Sequence, residues 1–204
     1  MNSERGKAYL VGGVNGVGKS SLTQELSVRY PEFEVFRGST RFMEWLRLPP
    51  GDYEVLQKLP EDYKSAELEK MMAEVFKNGV SGGKTLIIDA HYFNYKHGEL
   101  IDATGGWVSQ LDALFVVSVS PATILRRIEL DQVTGGRKRD VLPHNISRTQ
   151  KIELLGKFLR VTVDKAQDLS KKYSVPYFVI NNDTDGLNIA IGEFLECHSA
   201  LNSD

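Results

Sequence analysis

The stretch that most constrains this chain lies close to its start. Gly13-Val14-Asn15-Gly16-Val17-Gly18-Lys19-Ser20 fits the pattern G-x-x-x-x-G-K-[ST]. Such a pattern has structural meaning only between a strand and a helix, and both neighbours are legible. Ala8-Tyr9-Leu10-Val11 is a short apolar run of the buried-strand type. From Ser20 to Arg29 the spacing is helical, with Leu22 and Leu26 four apart and Ser21, Gln24 and Glu25 around them. Glycines let such a loop turn sharply and approach an anion without a Cβ in the way. Successive N–H groups then make an anion-binding nest, to which the following helix adds its positive end.

The residue types after the glycines specify the anion further. Lys19 is placed to reach the β- and γ-phosphates of a nucleotide, and the Ser20 hydroxyl to ligate Mg²⁺. Gly13, Val14, Asn15, Gly16, Val17, Gly18, Lys19, Ser20 and Ser21 are therefore the candidate nucleotide-binding residues.

Composition narrows the partners. A length of 204 residues suits one domain, here 1–204. A net charge of −2 argues against a nucleic-acid footprint over the whole surface, though not against a local basic groove. The single cysteine, Cys197, excludes an intrachain disulfide and reads as a small, partly buried hydrophobe. No apolar run approaches the ~18 residues of a membrane span. The N-terminus has no signal-peptide layout, so the cytoplasm is the default location.

Further along, Phe33-Glu34-Val35-Phe36 reads as a second strand, and Thr40 as the cap of a helix running to Leu46. Glu61 to Lys77 is helical, with Leu68, Met71, Met72, Val75 and Phe76 as its apolar stripe. Thr85-Leu86-Ile87-Ile88-Asp89 is a buried strand that ends in a carboxylate, which in this setting orients Mg²⁺. Residues 91–106 read as an irregular loop rich in Gly, Tyr and His. His91, His97 and His144 have no metal-ligand spacing. Leu114 to Val119 is a fourth strand, and Ser120-Pro121 opens a helix carrying Arg126 and Arg127. Thr134 to Asp140 is basic, and its layout suits a lid over phosphates as well as an ordinary solvated loop. Residues 146–173 are helical, 176–180 form a fifth strand, and 186–197 form the last helix. Alternating strands and helices predict an α/β fold with a parallel sheet, whose ligands bind beyond the carboxyl ends of the strands.

Taken together, these segments resemble a P-loop kinase of the nucleoside-monophosphate kinase fold, most of all the archaeal-type adenylate kinases. The phosphate loop is the specific part of the likeness. Thr40 and Glu44 resemble residues of the acceptor-binding helix, and Lys58-Leu59-Pro60 resembles the family's Lys-Leu-Pro element. Asp89-Ala90-His91 resembles an Asp-Thr-His after the third strand, which puts His91 on the acceptor side. Arg126-Arg127 and then Arg139-Asp140 resemble the family's Arg-rich lid, and Asn182 falls in the adenine-side loop after the last strand.

The resemblance implies a P-loop NTPase three-layer sandwich: a five-stranded parallel sheet of order 2-3-1-4-5, helices on both faces and a small lid. It implies an acceptor-binding region at about 38–78 and a lid at about 132–144. It also implies ATP with Mg²⁺ and phosphoryl transfer, with Lys19, Asp89, Arg127, Arg137 and Arg139 as catalytic residues and Ser20 and Asp89 on the metal.

The acceptor is not fixed by these matches. Where the family has Arg before Lys-Leu-Pro, this chain has Gln57, which cannot grip a phosphate bidentately. Arg41, in the first turn of the helix after Thr40, is the substitute cation. A nucleoside monophosphate is the first expectation. The alternatives are a hydroxyl acceptor (nucleoside, sugar or polynucleotide 5′ end), with Asp89 as base, and a regulatory nucleotide-binding ATPase. A basic flap suits a kinase better than a switch, because a kinase must exclude water.

Overall fold

The five apolar runs become five parallel strands. In the computed structural model, which describes residues 6–78, 83–96, 99–133, 142–143, 145–183 and 186–203, these are β1 (Ala8–Gly12), β2 (Phe33–Arg37), β3 (Thr85–Asp89), β6 (Ala113–Ser118) and β7 (Tyr177–Asn181). They pair in the order β2-β3-β1-β6-β7. Two further strands, β4 (Phe93–Lys96) and β5 (Glu99–Asp102), form a separate antiparallel pair. Apart from the numbers that this pair adds, the sheet order is the expected 2-3-1-4-5.

Residues 91–106 are thus not the irregular loop that the sequence suggested. Phe93-Asn94-Tyr95-Lys96 alternates apolar and polar residues, the period of a strand, and lies opposite 99–102 with Phe93 across from Asp102. Tyr92 roots the hairpin: its ring is fully buried and its hydroxyl donates to Phe115 O at 3.3 Å. A short 3₁₀ turn, Gly106–Gln110, follows and buries Trp107.

The helices are α1 (Lys19–Arg29), α2 (Gly38–Trp45), α3 (Tyr53–Lys58), α4 (Glu61–Asn78), α5 (Pro121–Val133), α6 (Arg148–Tyr173) and α7 (Leu187–Leu201). Side chains alternate across the strands, and the core divides accordingly. Tyr9, Val11, Phe115 and Val117 pack with α1 and α7 through Leu22, Leu26, Ile191 and Phe194. Leu10, Ile88, Leu114 and Val116 pack with α4 through Met71 and Met72. The long helix α6 serves both: Leu155 and Phe158 join the first group, Ala166 and Leu169 the second. Ser147 and Gln150 start α6 with a reciprocal capping box. Helix α2 begins at Gly38 rather than after a Thr40 cap, and no side chain caps it.

The basic segment expected to form the lid, including Arg137 and Arg139, lies outside the described residues, as do His97 and His144.

Candidate nucleotide site

The parallel pairing of β1 with β3 and β6 brings three strand ends to one edge, with the phosphate loop between them. The loop closes as its sequence requires. Gly18, the N-cap of α1, has φ +91°, in the left-handed region that favours glycine. A Cβ there would stand 2.4 Å from Asn182 Nδ2. At Gly13, φ is +148° and a Cβ would meet Val117 O at 2.6 Å. Because Gly18 has no side chain, it supplies no cap to α1, and the first turn carries no acidic residue. That leaves the positive end of an eleven-residue helix facing the loop, the arrangement that an anion completes.

Lys19 is only 7% exposed, and its ammonium donates to Gly13 O at 2.9 Å and to Val14 O at 3.3 Å. The charge is therefore held across the mouth of the loop. Ser20 and Ser21 are exposed on the first turn of α1. Asp89 closes β3, one strand away. Its Oδ2 accepts from the Thr23 hydroxyl at 3.2 Å, and the same hydroxyl lies 3.4 Å from Ser20 O. Thr23, 1% exposed, thus links the carboxylate to the turn that carries Ser20. His91 Nδ1 stands 3.2 Å from Gly13 O. A carbonyl only accepts, so this nitrogen carries the ring proton.

The α5/β7 flank of the loop is polar and closely tied. Arg127 donates through Nη1 to Val17 O and through Nη2 to Asn182 O, both at 3.0 Å. Asn182, 4% exposed, donates through Nδ2 to the same Val17 O at 2.7 Å. Asp183 then accepts from Ser120 N at 3.1 Å and from the Thr123 hydroxyl at 2.9 Å. Ser120 also caps α5, accepting from Thr123 N at 3.2 Å as its sequence predicted. Burial lowers the pKa of Arg127, Asp183 opposes this, and Arg126 adds to it. A guanidinium so shifted remains charged at neutral pH.

The opposite flank mixes aromatic and polar groups. An open, narrow cleft runs between the loop residues Gly13 to Asn15 and the hairpin residues Phe93, Tyr95 and Leu100, with Phe158 and Thr162 of α6 behind them. Its cavity volume is about 20 Å³, room for about one water. Tyr95 and Phe158 touch ring to ring, with centroids 5.0 Å apart and planes at 51°.

The structure therefore brings Lys19, Ser20, Asp89, His91, Arg127 and Asn182 to the strand-end edge. Arg41 Nη1 pairs with Glu44 Oε2 at 3.0 Å on the exposed face of α2, where Thr40 is also exposed. Thr23 and Asp183 were missed by sequence reasoning. Thr23 lies three residues after Ser20, on the same helix face, a spacing that the sequence does display. Asp183 reaches back over sixty residues to Thr123, which no local pattern announces.

Loop, helix end and strand-tip carboxylate on this sheet define a P-loop kinase fold. A family model described as "AAA domain" matches residues 12–144, and the chain belongs to that family. The crystal structure of shikimate kinase from Bacteroides thetaiotaomicron is similar in fold, with a TM-score of 0.60 at 12% identity over 95% of this chain and 98% of that one. No curated protein matches the chain in sequence. Among the described residues no helix is long and apolar enough to cross a membrane.

Proposed function

We propose that the chain is an ATP-dependent phosphotransferase that moves the γ-phosphoryl group of MgATP to a small acceptor. The observation that carries this reading is the joining of two parts: a loop whose lysine is already held at its mouth, and Asp89 tied through Thr23 to the turn bearing Ser20. The fold neighbour, named a shikimate kinase, supports the same reading.

Ser20 and Asp89 are the residues that would hold Mg²⁺. Both offer hard oxygen donors, the chemistry that ion prefers, and it is usually held by one or two protein groups plus phosphates. When bound, the ion neutralises charge on the transferring group. The chain's own part is positioning and positive charge. The loop N–H groups and Lys19 receive the phosphates. Arg127 and Asn182 brace the loop on the nucleotide side, and we assign the remaining transition-state charge to Arg137 and Arg139. Thr40, Glu44 and His91 are kept as acceptor-side residues. A nucleoside monophosphate is the acceptor that the family resemblance favours.

The test is ADP formation from MgATP in the presence of nucleoside monophosphates, nucleosides and sugars, with the phosphorylated product identified by mass. Removing the Lys19 ammonium strips one preorganised donor, an effect of about 10²–10³ in rate. Lys19→Ala is expected to fold, bind poorly and turn over at that reduced level. Wild-type turnover in Lys19→Ala would defeat the reading.

A further inference from the structure

Asn182 stands more than 160 residues from the phosphate loop in sequence and touches it in space. We infer that it is a positioning residue: its side-chain amide fixes the peptide between Val17 and Gly18 so that the Gly18 N–H faces the bound phosphates. This rests on the nucleotide-binding part of the reading above.

The geometry begins at one carbonyl. Val17 O accepts from Asn182 Nδ2 at 2.7 Å and from Arg127 Nη1 at 3.0 Å. In a trans peptide the C=O and the following N–H point in opposite directions. The bonds that draw Val17 O towards the α5/β7 flank therefore turn the Gly18 N–H away from that flank and into the loop. There it joins the N–H groups of the anion nest.

The loop does not fix this peptide by itself. Gly18 has φ +91°. Turning the peptide over would bring that φ to about −90°, which glycine adopts about as readily. Of the two orientations, only the observed one offers an N–H to an anion in the loop. The glycine that lets the loop turn thus leaves the choice to a contact from outside.

Asn182 suits that task because it is anchored independently of the loop. Its own N–H donates to Ser118 O at 2.8 Å, continuing the β6–β7 ladder past the end of β7. Its carbonyl accepts from Arg127 Nη2 at 3.0 Å. Asp183, the next residue, is tied to Ser120 and Thr123 at the start of α5. Asn182 is also buried, which leaves little of its surface to touch a base and keeps water from replacing its donor. Arg127, half-buried, shares the carbonyl, so removal of Asn182 weakens the selection without abolishing it.

The test separates phosphate from base. Affinities for ATP, inorganic tripolyphosphate and adenosine are measured by titration for the full chain, Asn182→Ala and Asn182→Leu, alongside thermal unfolding of each. Both variants are expected to lose about tenfold for ATP and for tripolyphosphate, the scale of one hydrogen bond, and to keep their affinity for adenosine. In the wild type the Gly18 amide resonance is expected to move when tripolyphosphate binds, and to move less in the variants. Loss for ATP with tripolyphosphate unaffected would overturn the inference and return Asn182 to the base. Equal loss for all three ligands, or loss for none, would overturn it as well. A wild-type Gly18 amide indifferent to bound tripolyphosphate would overturn it whether or not the variants fold. A wild type that binds neither ATP nor tripolyphosphate would overturn the nucleotide reading itself.

Discussion

The two flanks of the phosphate loop are built differently. Towards α5 and β7, buried and half-buried polar side chains tie backbone to backbone: Arg127 and Asn182 share Val17 O, and Asp183 locks Ser120 and Thr123. Towards the hairpin and α6, the wall is mixed: Phe93, Tyr95, Leu100 and Phe158 stand beside Asn15, Thr162 and the backbone of Gly13. A buried polar network that is fully satisfied is rigid and geometrically specific. On the proposed reading, the rigid flank holds the constant partner, the nucleotide phosphates.

That contrast can be broken at Gly18, and the effect there is expected to be the largest. Gly18→Ala combines a left-handed backbone with a Cβ placed 2.4 Å from Asn182 Nδ2. Strain of this kind costs about 2–3 kcal/mol, and it falls where the loop meets the polar flank. The expected outcome is a clear drop in thermal stability together with loss of ATP binding by calorimetry. Unchanged ATP affinity would mean that the flank does not shape the loop.

Thr23 offers a smaller and more selective cut. Thr23→Val keeps the buried shape and removes the donor to Asp89. A hydrogen bond to a charged group contributes about 1.5–3 kcal/mol, and the lower end applies because Asp89 is only partly buried. Turnover should fall by about tenfold and need more Mg²⁺ for half-saturation, with Thr23→Ser restoring both. A Mg²⁺ profile identical to wild type would remove Thr23 from the site.

The smallest effect lies at the other end of the sheet and serves as a control that should leave the loop untouched. His198 Nδ1 in α7 lies 3.0 Å from the Tyr9 hydroxyl, and its ring packs on Phe33 with centroids 4.9 Å apart. Burial and the nearby Asp112 carboxylate hold the Tyr9 hydroxyl protonated. The Asn202 amide also lies against the ring. Burial lowers the pKa of His198, Glu32 opposes this, and Lys7 adds to it. The folded state thus binds this proton less readily than the unfolded chain does. The contribution is fully present above the ordinary value of 6.5 and is lost as pH falls below it towards the folded value. Thermal unfolding from pH 7.5 to 5 should show a decline that His198→Gln lessens, with nucleotide binding unaffected. A pH dependence identical in the two proteins would contradict this.

Much of this molecule was legible in its sequence where the signal is local. The loop pattern, the apolar strands and the Ser120-Pro121 helix start depend on neighbours within a few residues, and each stands where it was expected. The hairpin was not foreseen, because four-residue strands of mixed polarity give too short a run for alternation to stand out beside Gly and His. Asp183 and the Arg127 bridge to Asn182 were invisible for a different reason: they join residues more than fifty positions apart. Arg41, a basic residue in a first turn, pairs with the carboxylate three residues on, an exposed contact that the i,i+3 spacing itself displays.

The central claim is that this loop hands a phosphoryl group to an acceptor rather than to water. The direct measurement follows the label from [γ-³²P]ATP with the wild-type chain, Mg²⁺ and the acceptors named above, resolving acceptor-bound label from inorganic phosphate. Label on the acceptor, in excess over inorganic phosphate and appearing about 10²–10³-fold more slowly with Lys19→Ala, is the predicted result. Label released only as inorganic phosphate, at the same rate with and without acceptor, would contradict it.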